Sequence, residues 1–195
     1  MAGAPGRLAE ELFFEILLRQ RAERARFAAA VETAKTVLES LAVLPKSEEA
    51  QALLRKHQAM SRQTGQVAAR LESILTELAL NELGSPAARD LLESEIISPI
   101  GQLQSGPLAD LPPLLEGLEA APERLESARG KQQEIVNQME AILARMQQWE
   151  SFVDVLNQLR EVIKLQTEVV DGVEDKRKTQ AEGLFDDEGD EKKED

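Results

Sequence analysis

The sequence predicts an all-α protein: an elongated helical bundle built on an antiparallel coiled-coil hairpin, followed by a long C-terminal helix. Two apolar stripes carry most of that prediction. One runs Phe13, Leu17, Gln20, Arg24, Phe27, Val31, Ala34, Leu38, Leu41, and the other Ala50, Leu53, His57, Met60, Thr64, Val67, Leu71, Ile74, Leu78. Both alternate steps of three and four, the 3.5-residue period that keeps one seam facing a partner helix. Folding the chain back at Pro45 sets Leu41 against Ala50, Leu38 against Leu53, Ala34 against His57, Phe27 against Thr64 and Phe13 against Leu78, so that large residues meet small ones. The third observation is composition. Aromatic residues are 3% of the 195, with one Trp and no Tyr, and Leu, Ile, Val, Ala and Met are left to fill the core, as in coiled-coil seams.

Residues 1–7 form a flexible start. Helix 1 is expected from about Leu8 to Leu44, ended by Pro45, since the residue before proline is pushed out of the α region. Ser47 reads as the N-cap of helix 2, with Glu48 and Glu49 in the first turn where the helix dipole favours acids. That helix extends to about Asn81 or Leu83, with Gly84 as its C-terminal cap, which closes the hairpin at residues 8–83. Ser85 and Pro86 restart the chain as N-cap and first helical residue. A short third helix runs to about Ile97, where Ser98-Pro99 kinks or ends it. Pro107, Pro112, Pro113 and several glycines then mark residues 84–121 as a short helix and a Pro/Gly-rich crossover, with Leu111, Leu114, Leu115 and Leu118 in a short apolar helix.

The long helix is expected over 122–182 and packs on the hairpin. Its seam runs Leu125, Ala128, Gln132, Ile135, Met139, Ile142, Met146, Trp149, then Phe152, Leu156, Leu159, Ile163, Gln166, Val170, Val173, with a phase slip at Trp149–Phe152. Gly130 and Gly172 are its weak points. At about 1.5 Å per residue the helix is near 90 Å long, well beyond the hairpin. A break near Gly130 would let residues 131–173 lie along the hairpin as the third helix of a monomeric bundle, the crossover capping one end; otherwise the chain dimerises through the stripe. Residues 183–195 read as an acidic disordered tail.

The formal net charge is −13. In the tail two lysines face seven acids, 2 − 7 = −5, which leaves −8 for residues 1–182. This balance disfavours nucleic acid as a partner, because phosphate binding needs a basic stripe, and likewise anionic membranes; neither is expected. No stretch nears 18 consecutive apolar residues and no signal-like segment opens the chain, so a soluble protein without direct membrane insertion is expected. Absence of cysteine excludes disulfides and thiolate chemistry.

Candidate chemistry is sparse. His57, the sole histidine, has Leu at position 54 where a bundle metal site uses Glu-x-x-His, and is expected as a packed seam residue opposite Ala34. Gln20 and Arg24 interrupt the apolar seam and set register. With no phosphate loop, no serine elbow and no convergent acid and base, the chain reads as a non-enzyme with no cofactor and no metal. Met139, Met146, Trp149 and Phe152 cluster on one stripe and form the candidate interaction surface together with Leu184 and Phe185 before the acidic tail.

The stretch QEIVNQMEAILARMQQWESFVDVLNQLREVIKLQTEV, residues 133–169, with QRAERARF, LTELALNEL and ESEIISPIGQL upstream, resembles the C-terminal helical region of large uncharacterised envelope-associated proteins of planctomycete type. The resemblance covers most of residues 10–175 and carries no activity or site residues; it implies a bacterial envelope location, against a cytoplasmic one otherwise. The function expected is a non-catalytic scaffold or protein–protein interaction module, with a protein partner and a monomeric or homodimeric state. The alternative is an export or assembly chaperone holding a client segment in an apolar groove.

Overall fold

The computed structural model describes residues 5–186, without the side chains of 5–10, 156, 157, 160, 161 and 179–186. All regular structure among the described residues is helical: α1 (Pro5–Ser40), α2 (Ser47–Leu80), α3 (Pro86–Leu92), a π-helical segment (Glu93–Ile97), α4 (Ser98–Ser105), α5 (Pro107–Asp110), α6 (Pro112–Leu115), a 3₁₀ turn (Pro122–Arg124) and α7 (Leu125–Asp186). The chain divides into two compact units, Met1–Phe152 and Val153–Asp195.

Within the first unit, hydrogen bonds and ion pairs set the direction of each layer. Between α1 and α2, Arg19 pairs with Glu77, Arg70 lies 3.4 Å from Glu23, and Gln63 Nε2 donates to the Arg26 carbonyl at 2.9 Å. Residue numbers rise along one helix as they fall along the other. The same reversal relates α2 to the chain from α3 to α5: the Arg89 guanidinium donates to the Leu78 carbonyl, Gln104 Nε2 to the Ser61 carbonyl and His57 Nε2 to the Leu108 carbonyl. It recurs where the α7 segment up to Phe152 meets α3–α5, through Trp149 with Ala88, Arg145 with Glu95 and Lys131 with Asp110. That segment also meets α1, through Gln132 with Ala34, Lys35 with Glu140 and Arg24 with Glu150. Four layers, each antiparallel to its neighbours, thus close a ring around one core, in up-down-up-down order.

Two expectations about this unit need correction. The segment 84–121 does not cap one end. From Pro86 to Ser105 it is a nearly unbroken helical run that fills the third layer, burying Leu92, Ile96, Ile100 and Leu103. Pro99 does not end it, because the π segment just upstream widens the helix: Ser98 N–H donates to the Glu93 carbonyl five residues back, which makes room for a ring that lacks its own donor. Nor does the long helix break at Gly130. α7 passes straight through it, and a Cβ there would meet nothing within 4 Å, so the glycine costs propensity alone.

Smaller differences lie at the helix ends. Ser47 is the first residue of α2 and not its cap; the exposed N–H groups are satisfied by carboxylates, Lys46 N–H donating to Glu49 and Ser47 N–H to Glu119, each at 2.9 Å. α1 stops at Ser40 and α2 at Leu80, short of the expected ends. Glu82 and Gly84 then take positive φ, 53° and 70°, and turn the chain into Ser85, whose Oγ caps α3 by accepting from Ala88 N–H at 3.1 Å. α7 continues to Asp186, four residues into the expected disordered tail; residues 187–195 lie outside the described region.

Candidate functional site

The nine seam positions read for α2 are its nine buried residues, Ala50 through Leu78. On α1 the buried line is Ile16, Gln20, Glu23, Phe27, Ala30, Ala34, Val37 and Leu41, joined by Leu17 and Val31. The expected stripe is buried at Leu17, Gln20, Phe27, Val31, Ala34 and Leu41; Phe13 is half-buried, and at Arg24 and Leu38, also half-buried, the burial shifts one residue earlier to Glu23 and Val37. A helix wedged between two neighbours buries a wider arc than a two-stranded seam allows.

Met139, Met146 and Trp149, expected as part of an interaction surface, are core. The two methionines are 0% exposed and Trp149 4%. The indole Nε1–H donates to the Ala88 carbonyl at 2.8 Å, locking α7 to α3. Beside this ring lies a cleft of about 300 Å³ lined by Leu91, Glu95, Ile96, Arg145, Gln148, Trp149 and Phe152. Leu91 and Phe152 stand exposed at its edge, and the Arg145–Glu95 ion pair, 3.5 Å, spans the rim. Of the four expected residues whose side chains are described, Phe152 alone is accessible; those of Leu184 and Phe185 lie outside the described set.

Several polar groups are buried inside the bundle, each in its own surroundings. Glu23 is 4% exposed and paired with Arg26 and Arg70. Gln20 is fully buried with neither amide atom hydrogen-bonded, and Gln132 uses its Nε2 on the Ala34 carbonyl while its Oε1 finds no partner. His57 does not rest on Ala34 alone. It is 1% exposed, and its Nε2–H donates to the Leu108 carbonyl at 2.8 Å, leaving Nδ1 buried and unpartnered. Burial pushes the imidazole below its ordinary value; the bond to the Leu108 carbonyl opposes that shift. On the surface the Arg19–Glu77 hydrogen bonds raise the guanidinium and hold the carboxyl down. Among the described residues no group of three His, Cys, Asp or Glu side chains could hold a metal ion.

The second unit presents the other candidate surface. Its helical residues Val155, Leu159, Val162, Ile163, Leu165, Val169, Val170 and Val173 are all 45–65% exposed. Single exposed aliphatics are ordinary; a continuous face of them marks an interaction site. No helix of the described residues is long and apolar enough to cross a membrane. No protein-family model, curated protein or solved structure matches the chain.

Proposed function

We propose that the protein is a non-catalytic scaffold or protein–protein interaction module, in which α1 and α2 act as an antiparallel coiled-coil hairpin carrying the remaining layers. The observation that carries this reading is the aliphatic face of residues 155–173, whose burial by a partner helix would repay the exposure. Support also comes from the interior. Its polar groups are hydrogen-bonded to backbone, ion-paired or unpartnered at isolated positions, and among the described residues none faces another as acid and base across a cleft. In this reading the resemblance to envelope-associated proteins sets the work outside the cytoplasm, which fractionation of the source cells checks.

Affinity capture with the full chain tests the proposal. Partners held by the native chain should be lost from a Leu159→Glu, Ile163→Glu, Val169→Glu variant, and equal retention by both chains would remove this face as the binding site.

The chaperone alternative is favoured by the cleft beside Trp149, edged by exposed Leu91 and Phe152. An apolar client side chain seated there would shift the emission of the sole tryptophan. Titration with apolar peptides that leaves the emission unchanged rejects this alternative.

A further inference from the structure

We propose that two copies of this chain pair antiparallel through the aliphatic face of residues 155–173. The inference rests on the interaction reading above and names the partner. In heptad terms Ile163 and Val170 occupy a, Leu159, Gln166 and Val173 occupy d, and Val162 and Val169 flank them at g. The aliphatic members of this seam are each about half-exposed, and Gln166 is exposed too.

Three considerations select a second copy. A seam of 3.5-residue period is matched by a helix of the same period, and the other such stripes of this chain, on α2 and on α7 before Phe152, are already buried in the first unit. The area suffices for a weak symmetric pair: half-exposed aliphatic side chains offer about 80 Å² each, on the order of 600 Å² per chain, which reaches the lower bound of roughly 1,200 Å² for a specific interface. Charge sets the direction. Residues 153–164 carry Arg160 and Lys164 against Asp154 and Glu161, 2 − 2 = 0, whereas residues 165–175 carry Glu168, Asp171, Glu174 and Asp175 with no base, −4, and Lys176, Arg177 and Lys178 follow at once, +3. A parallel pair would set like on like, the two −4 stretches side by side and the two +3 runs side by side. An antiparallel pair sets each −4 stretch against the neutral half of the other copy. In that register Leu159 of one copy packs on Val170 of the other and Ile163 on Gln166, each contact made twice about the two-fold axis.

The full chain is the material for the test. Sedimentation velocity should show the mass rising from one chain to two between about 1 and 100 µM. The Ile163→Glu variant should stay at one chain over that range with unchanged Trp149 emission, since the first unit is untouched. The native chain has no cysteine, so Leu159→Cys and Val170→Cys chains mixed under mild oxidation should give the mixed disulfide in large excess over either homodisulfide. A dimer that survives Ile163→Glu, or dominant homodisulfides, would overturn the proposal. So would a monomer up to the highest concentration. If that monomer still captures a foreign partner through the face, the interaction reading stands without the pairing; if it captures none, both fall.

Discussion

Two stretches of α7 carry the same seam period and meet opposite fates. From Ala128 to Trp149 the stripe is buried against α1 and the third layer, with Ile135, Met139 and Met146 fully enclosed. From Val155 to Val173 the stripe stands half in solvent. Apolar spacing thus specifies that a helix has a seam, and which way it faces, but not what meets it. The difference is in the residues around the seam. The first stretch brings a tryptophan with a donor for Ala88 and a glutamine for Ala34, polar anchors that select one partner surface; the second brings valines and leucines, which fit any apolar helix face.

The comparison breaks most readily at Trp149. Replacing it with Ala should cost about 3–5 kcal/mol, because it empties a core site and removes the indole's hydrogen bond to the Ala88 carbonyl. The equivalent truncation Ile163→Ala should change the unfolding free energy of the first unit, read by urea titration, by less than about 0.5 kcal/mol. Similar losses for both would erase the distinction between the stretches.

A second contrast is internal. Gln20 buries an amide with neither atom bonded, so Gln20→Leu should raise stability by about 1–2 kcal/mol, read by thermal or urea unfolding. A loss would mean that the amide is serving the core after all.

His57 gives a pH signature. Its folded-state value is lowered by burial, so it stays neutral in the bundle while the unfolded chain takes up a proton near pH 6.5. Stability from this site is complete above about pH 6.5 and falls as the pH drops below it toward the folded value. His57→Leu should flatten that fall; the same slope in both proteins would assign the acid sensitivity elsewhere.

The smallest effect is expected at the exposed Arg19–Glu77 pair, where Arg19→Ala should cost about 0.2–1 kcal/mol and the cost should shrink with added salt. A larger, salt-independent loss would place the pair among the structural anchors.

How much was legible varies by element. All nine core positions of α2 could be read from spacing. On α1 the period was right: Leu17, Gln20, Phe27, Val31, Ala34 and Leu41 are buried as read, Ile16 and Ala30 are buried beside them, and only at Arg24 and Leu38 does the burial fall one residue earlier, on Glu23 and Val37, since a two-stranded template misses the second neighbour. The third layer was the main loss. Pro99 and its flanking serine read as a helix end, and nothing local announces a π turn that absorbs a proline. Trp149 stands in the packing seam and also in the candidate binding surface, because Met and Trp at seam spacing suit a core as well as an adaptable binding face; its burial and its hydrogen bond to Ala88, 61 positions away in sequence, settle which.

The sequence by itself determined the all-helical class, the turn near Pro45, the Ser85 cap and the face that α2 buries, because each depends on residues a few positions apart: periodicity, a proline's fixed φ, a side chain reaching its own helix's N–H. Only the tertiary structure decided that residues 86–110 form a bundle layer, that His57 binds the Leu108 carbonyl, and that the α7 stripe is covered up to Trp149 and open from Val155. Those outcomes turn on contacts between distant segments, where apolar surfaces of similar shape compete and the winner is set by how all four layers fill one core at once.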